Sequence, residues 1–164
     1  MVGRAVASMK RVLITGMSGT GKSSVVNRLA ELGYRAIDTD RADLTVQVRS
    51  SSRTERLWRE DQIQRILSAN DTALIFLAGA CRNQVNFYPQ FDHIVLLSAP
   101  ATVLIDRLTT RSNNPYGKSP AELAETLRLV ETVEPLLRAA ATLEIDTTAP
   151  LDEVVQAILD VVAA

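Results

Sequence analysis

The stretch GMSGTGKSS, Gly16 to Ser24, follows the apolar run RVLIT and carries three glycines and one lysine. It satisfies the spacing G-x-x-x-x-G-K-[ST], in which glycines let successive backbone N–H groups curl around a phosphate. An amphipathic helical pattern follows directly, and the amino end of a helix adds partial positive charge at the same place. The sequence therefore predicts a strand, a phosphate-binding loop and a helix, which together form a nucleoside triphosphate site.

Individual residues of this motif have different expected contacts. Lys22 is expected to reach the β and γ phosphates, and the Ser23 hydroxyl is expected to bind Mg²⁺. A guanine-reading N-K-x-D string does not follow the later apolar run HIVLLSAP, which favours ATP over GTP. The residues predicted to bind the nucleotide through this loop are Gly16, Met17, Ser18, Gly19, Thr20, Gly21, Lys22, Ser23 and Ser24.

Short apolar runs alternate with helical patterns along the rest of the chain. Five runs of strand length, RVLIT, YRAID, ALIFLA, HIVLLS and TLEID, lack clean in-and-out alternation, which is typical of parallel strands covered on both faces. The pattern predicts a doubly wound α/β fold of the P-loop NTPase type, a five-stranded parallel sheet with helices on both faces. Ligands of such folds bind at the carboxyl ends of the strands. The domain is predicted to span 10–164, after a flexible leader over 1–9.

Composition limits the class of protein. A net charge of -1 and a pI near 5.9 provide no general attraction to nucleic acid or to an anionic membrane. No apolar segment approaches the roughly 20 residues that span a bilayer. The single cysteine, Cys81, excludes an internal disulfide and is expected to be a small buried hydrophobe. These observations predict a cytoplasmic protein with small-molecule partners, and they leave the oligomeric state open.

Two carboxylates close the second predicted strand, in AIDTD, Ala36 to Asp40. At a strand end beside the phosphates, one carboxylate can serve the metal and its waters while the other holds a substrate hydroxyl. The alternative for Asp40 is a helix N-cap.

The order and spacing of GMSGTGKSS, AIDTD, LWREDQIQRIL, LIFLAGA, EPLLR and LEIDT resembles the shikimate kinase family, within the small P-loop kinases that include gluconate and nucleoside monophosphate kinases. The resemblance covers most of the chain and implies Mg-ATP-dependent phosphorylation of a small hydroxyl-bearing metabolite. It also implies that Asp38 lies near Mg²⁺, that Asp40 holds and can deprotonate the acceptor hydroxyl, and that Arg59 binds the acceptor's carboxylate. A solvated helix face is the alternative for Arg59.

The chain departs from that family at the acceptor site. A family run of three glycines is here LAGACRNQ, which keeps only Gly79, and a carboxylate-binding arginine of the family is replaced by Val133. Because valine cannot grip a carboxylate, shikimate is not the expected acceptor. Gly79 and Arg82 are expected to contact a different acceptor, with Trp58 in the core or in the pocket wall.

The segment SNNPYGKS, Ser112 to Ser119, separates two predicted helices. A plain turn is one interpretation, whereas the resemblance favours a basic lid over about 111–119 that closes over ATP and excludes water. Arg111 is expected to stabilise the transferring phosphoryl group. The resemblance also implies that Pro150, in DTTAP, flanks the adenine.

The predicted activity is phosphotransfer from ATP to an unidentified metabolite, with Lys22, Asp40 and Arg111 as catalytic residues. A nucleoside monophosphate kinase is one alternative. Another is an ATP-binding switch or slow ATPase, whose output is a conformational change.

Overall fold

Five parallel strands form the central sheet of the computed structural model, which describes residues 9–41, 43–50, 53–112 and 114–163. The strands in chain order are β1 Lys10–Thr15, β2 Arg35–Asp38, β3 Thr45–Ser50, β4 Arg53–Trp58, β5 Leu74–Ala78, β6 His93–Ser98 and β7 Leu143–Asp146. The main sheet has the order β2-β5-β1-β6-β7, and all its pairings are parallel. The five predicted strands and the predicted fold class are therefore confirmed.

Helices cover both faces of this sheet. They are α1 Lys22–Glu31, α2 Glu60–Ser68, a 3-10 helix Arg82–Gln90, α3 Ala101–Thr110, α4 Pro120–Thr132, α5 Glu134–Ala140 and α6 Leu151–Ala163. Alternate residues of β1 enter opposite layers: Val12 and Ile14 pack with α1 and α6, whereas Leu13 packs with α2. All three are fully buried, which explains why β1 is continuously apolar.

The β3–β4 hairpin is a feature that the sequence analysis did not predict. It lies between β2 and α2, and its two strands pair only with each other. The helical stretch assumed in the alternative for Arg59 is therefore shorter, because Leu57 and Trp58 are in a strand and the helix begins at Glu60. The described residues after Asp40, namely 41, 43 and 44, form bends and turns that lead into β3, so the N-cap alternative for Asp40 is wrong.

The amino-terminal end of the described chain is packed into the fold. Residues 1–8 of the predicted leader lie outside the described residues, whereas Met9 is only 1% exposed and its N–H donates to the Asn70 side chain at 3.1 Å. The packed domain thus includes Met9. Within the described ranges, no helix combines the length and the apolar character that a membrane span requires.

Candidate active site

The loop after β1 passes so close to neighbouring backbone that it needs glycine. A Cβ on Gly16 would lie 2.4 Å from the Leu97 carbonyl oxygen and 2.8 Å from Thr20 Oγ1. Gly21, with φ +100°, adopts a left-handed conformation at the N-cap of α1. The buried Thr20 hydroxyl closes the turn by donating to the Met17 carbonyl at 2.7 Å. The loop therefore has the conformation that a phosphate cradle requires.

Lys22 points its ammonium group back into this loop. Its Nζ donates to the carbonyl oxygens of Gly16 at 2.7 Å and of Met17 at 3.0 Å. Burial of the ammonium lowers the Lys22 pKa to about 8, against the opposing effects of Asp40 and Asp38, while Arg111 lowers it further. The charged groups predicted from three separate segments therefore lie within electrostatic reach of one lysine.

Ser23 and Asp38 are in direct contact at the start of α1 and the end of β2. Ser23 Oγ donates to Asp38 Oδ2 at 2.9 Å, and Asp38 Oδ1 accepts the backbone N–H of Asp40 at 3.0 Å. A hydroxyl beside a carboxylate supplies the oxygen ligands that Mg²⁺ prefers, so these residues fit the predicted metal. The Asp38 hydrogen bond also fixes the turn that carries Asp40 beyond the strand.

A cavity of about 320 Å³ lies on the other side of the loop and has a mixed lining. Arg107 spans it, because Nη1 donates to the Gly19 carbonyl at 3.1 Å and Nη2 donates to the Thr147 carbonyl at 2.6 Å. Pro150 is exposed at the start of α6, between two residues that line the cavity. The lining residues are Thr20, Gly21, Ser24, Val25, Arg107, Thr147, Ala149, Leu151 and Val154.

Arg107 was not among the predicted site residues. It lies on α3, four residues before Arg111, which is the extended C-cap residue of that helix. This four-residue spacing was the sequence signal from which a role for Arg107 could have been predicted. The bonds that Arg107 makes join the phosphate loop to the segment after β7, so it links the two walls of the cavity.

The predicted lid folds back on itself over its described part, which excludes residue 113. Arg111 Nη2 donates to the Tyr116 carbonyl at 2.7 Å, and Lys118 Nζ donates to the Arg111 carbonyl at 2.5 Å. The buried Nε of Arg111 has no hydrogen-bond partner among the described residues, and burial lowers the Arg111 pKa. Arg111 thus keeps unused hydrogen-bonding capacity close to Lys22.

The floor on the acceptor side is built around Gly79, directly after β5. Trp58 Nε1 donates to Thr39 Oγ1 at 2.8 Å, and Thr39 Oγ1 donates to the Ala78 carbonyl at 2.6 Å. A Cβ on Gly79 would lie 2.4 Å from Thr39 Oγ1 and 2.9 Å from Trp58 Nε1. Glycine at position 79 therefore leaves room for the Trp58 indole to pack against the ends of the strands. Trp58 is only 2% exposed and belongs to the core.

Gly79→Ala is expected to lower the free energy of unfolding by about 1–3 kcal/mol, the usual cost of overpacking a buried site. The closest clash is with the Thr39 hydroxyl, so adding Thr39→Ala should recover part of that loss. Denaturant unfolding of the two single variants and the double variant measures this coupling. Strictly additive costs would contradict the steric argument.

The two arginines predicted to bind the acceptor both contact the hairpin. Arg59 Nε donates to the Thr45 carbonyl at 3.1 Å, at the N-cap of α2 rather than on its solvated face. Arg82 makes a forked ion pair with Glu55, at 2.7 and 3.0 Å. In the structure both arginines therefore help to hold the hairpin, and their contact with an acceptor stays a prediction.

Val133 lies in an apolar cluster beneath the loop. It packs against the group formed by Met17, Leu96, Leu104 and Leu137, in the junction between α4 and α5. A position where the family resemblance would place an arginine thus contributes packing here.

Sequence comparison relates the chain to nucleotide-binding proteins. A family model described as an AAA domain matches residues 12–128. Shikimate kinase 2 of Yersinia enterocolitica is 30% identical, over 93% of this chain and 95% of that protein. A Fervidobacterium nodosum protein named as a nucleotide-binding protein is also 30% identical, over 84% of this chain but 47% of its own length. The chain thus spans about half the length of the nucleotide-binding proteins that it matches.

Solved structures with a similar fold include a shikimate kinase and a gluconokinase. Shikimate kinase from Acinetobacter baumannii, in complex with shikimate, superposes with a TM-score of 0.65 at 19% identity, over 98% of this chain and 96% of that one. A gluconokinase from Sinorhizobium meliloti superposes with a TM-score of 0.56 at 20% identity, over 93% and 90%. At these identities the likeness establishes the fold.

Proposed function

Since this chain belongs to the AAA domain family of P-loop proteins, in its shikimate kinase-like branch, we propose that it is a kinase of a small metabolite. In this proposal the γ-phosphoryl group of ATP moves to an acceptor hydroxyl, and ADP leaves. The observation that carries it is the convergence of Asp40, Asp38 and Arg111 on the Lys22 ammonium. A lysine, two carboxylates and an arginine around one phosphate loop are the parts that phosphoryl transfer requires.

The loop and its lysine would hold the triphosphate. The first backbone N–H groups of an α-helix have no helical partners and can bind phosphate oxygens, and the Lys22 ammonium can exchange the carbonyls of Gly16 and Met17 for phosphate oxygens. The purine base would enter the cavity beside Arg107, where the predicted contact with Pro150 also belongs. Arg111, with its free Nε, would supply positive charge as the phosphoryl group transfers.

Ser23 and Asp38 are the residues that would hold Mg²⁺. A bound magnesium ion offsets negative charge on the two outer phosphates. Before it binds, the Ser23 hydroxyl donates to the Asp38 carboxylate, which keeps both oxygens at one point of the loop. Binding of the ion would require little movement of the protein, because the hydroxyl and the carboxylate that would hold it are already adjacent.

Asp40 would receive the acceptor. Its carboxylate lies beyond the strand end, exposed, and influences the pKa values of both Lys22 and Cys81. It is thus placed between the phosphate loop and the acceptor floor. Asp40 would accept the hydroxyl proton while the acceptor oxygen bonds to phosphorus and the bond to ADP breaks.

Shikimate is not the proposed acceptor. Val133 is committed to an apolar cluster, and both Arg59 and Arg82 bond to the hairpin. The acceptor side is thus lined differently from what the family resemblance implies. This supports an acceptor of different shape and leaves the phosphoryl chemistry of the loop unchanged.

A nucleotide-binding switch is the second candidate, because several relatives are named only as nucleotide-binding proteins. A switch would bind ATP and release ADP slowly, without any acceptor effect. A nucleoside monophosphate kinase would instead respond only to monophosphates.

One experiment separates these functions. ADP release by the purified protein is measured with Mg-ATP against a library that includes shikimate, gluconate, neutral sugars, nucleosides and monophosphates. The proposal expects stimulation by at least one hydroxyl-bearing metabolite that is not a nucleotide. ATP binding without stimulation by any compound would favour the switch, and shikimate as the best acceptor would refute the argument from Val133.

The affinity of the protein for ATP is expected to fall as the pH rises through about 8. The Lys22 pKa is lowered to about 8 in the nucleotide-free protein, and only the protonated ammonium attracts phosphate. Binding an anion raises this pKa, so at and above pH 8 binding takes up a proton. Calorimetry in buffers of different ionisation enthalpy, from about pH 7 to about pH 9.5, measures both effects. Lys22→Arg stays charged and should flatten the profile.

A further inference from the structure

The outer edge of β4 is fastened to the 3-10 helix at the carboxyl end of β5. Asn83 pairs with the Trp58 backbone in both directions, with Oδ1 accepting at 2.9 Å and Nδ2 donating at 3.0 Å. Further along, the Glu55 carboxylate accepts both bonds of the Arg82 fork. These contacts bridge 25 and 27 residues of sequence. The hairpin is therefore held beside the acceptor floor at two points, and Arg56 lies between them.

Strand geometry places Arg56 on the same face of the hairpin as Trp58. Side chains two residues apart on a strand point to one side, and the Trp58 indole is the group that packs on Thr39 and Gly79. Gln47 pairs directly opposite Arg56, so it shares that face. A guanidinium and an amide thus stand side by side on the face of the hairpin that is turned to the sheet end.

The electrostatics around Cys81 agree with this placement. Burial raises the Cys81 pKa to about 11, Asp40 and, more weakly, Glu55 raise it as well, and Arg56 acts in the opposite direction. Asp40 and Arg56 are therefore both within electrostatic reach of the same buried thiol beneath the acceptor floor. An acceptor above that floor would have a carboxylate on one side and a guanidinium on the other.

Three neighbouring arginines are already engaged, whereas Arg49, two residues beyond Gln47 on β3, is exposed and makes no ion pair with a described residue. Arg41 pairs with Asp43, Arg82 pairs with Glu55, and Arg59 donates to a backbone carbonyl. Arg56 is exposed and makes no ion pair within 9–41, 43–50, 53–112 and 114–163. A guanidinium that faces a candidate site without a carboxylate partner is available for a ligand anion, which it can bind through two parallel hydrogen bonds.

We propose that Arg56, assisted by Gln47, binds an anionic group of the acceptor and thereby selects acceptors that carry a carboxylate or phosphate besides the reacting hydroxyl. The proposal rests on the proposed kinase function and names the acceptor class for the same site. The hairpin then has a defined role, because it replaces an anion contact that Val133 cannot make and that Arg59 does not make in this structure.

Trp58 provides a direct binding signal, because it is the chain's single tryptophan and lies two residues from Arg56. The protein, loaded with Mg-ADP, is titrated with glycerol, glycerate and glycerol 3-phosphate, which share hydroxyls and differ in the anionic group. We expect saturable Trp58 fluorescence changes with one or both anions, and an affinity for glycerol at least about tenfold weaker. Comparing the two anions distinguishes a carboxylate site from a phosphate site.

Arg56→Gln keeps a polar side chain and removes the charge. It should weaken binding of the preferred anion by about tenfold or more, whereas Arg65→Gln, an exposed arginine on α2, should leave it unchanged. Thermal melting confirms that both variants are folded. Equal affinities for glycerol and the anions, no saturable response, or anion binding that survives Arg56→Gln would each overturn the proposal. Anion binding that survives Arg56→Gln would indicate that the anion occupies the position of the transferred phosphoryl group instead.

The two proposals can fail separately. The titration detects anion binding in the ADP-loaded protein and needs no turnover. The kinase proposal fails instead if no metabolite stimulates ADP release. A protein that passes the fluorescence test and fails the turnover test would therefore keep Arg56 as an anion site and lose the kinase activity.

Discussion

Lys22→Ala is expected to lower acceptor-stimulated ADP release by about a hundredfold to a thousandfold. That range is the usual cost of removing one preorganised positive or hydrogen-bonding group from a site of developing charge. The ammonium is aimed into the loop by two carbonyls and is held between Asp40, Asp38 and Arg111, so no other lysine can take its place. Initial rates at saturating Mg-ATP, together with the ADP affinity, measure the effect on turnover and on binding.

Lys10→Ala is the matched control for this change. Lys10 starts β1, at the opposite end of the strand from the phosphate loop, and its Nζ donates to the Val162 carbonyl at 2.8 Å. Its removal should leave the turnover rate within about twofold. If Lys22→Ala handled ATP as the unmodified protein does, the phosphate site would have been assigned to the wrong part of the molecule.

The phosphate loop could be predicted from sequence because its requirements are local. A left-handed residue at Gly21, a close approach to Leu97 at Gly16, and a lysine one residue into the helix all follow from a fixed spacing. The five sheet strands were equally accessible, since strands buried on both faces must be continuously apolar. Local rules thus determine most of the fold and the nucleotide half of the site.

The hairpin could not be predicted in the same way because long-range contacts stabilise it. Its Trp58 indole bonds to Thr39, and its edge bonds to Asn83 and Arg82, which lie 19 to 27 residues away in sequence. A local signal did exist, since TVQVRS alternates β-branched and polar residues from Thr45 onward.

The same contacts explain why the acceptor residues were harder to assign than the nucleotide residues. Arg59 and Arg82 have the side-chain chemistry of ligand contacts, but in the structure both bond to protein groups. Their partners, a Thr45 carbonyl and the Glu55 carboxylate, belong to the unpredicted hairpin. A charged side chain can be assigned to a ligand only once the protein groups that compete for it are known.

Asp40→Asn is expected to lower acceptor-stimulated turnover by about a hundredfold to ten-thousandfold, the contribution that a positioned general base makes. Well below pH 8, where Lys22 stays protonated, the ADP affinity should change little, because in the proposed function Asp40 serves the acceptor while the loop and Asp38 hold the phosphates. Asp43→Asn, an exposed carboxylate paired with Arg41, is the matched control and should leave the rate unchanged. Steady-state ADP release with the best acceptor from the metabolite screen measures both variants.

The pH profile of the same variant gives a second, independent result. Asp40 raises the Lys22 pKa, so its neutralisation should shift the loss of ATP affinity from about pH 8 to a lower pH. A shifted profile together with lost turnover would place Asp40 between the lysine and the acceptor, as the kinase mechanism requires. A shifted profile with the slow basal ADP release unchanged, and no acceptor that ever stimulates it, would instead indicate a nucleotide switch, because Asp40 would then act only through the charge of Lys22.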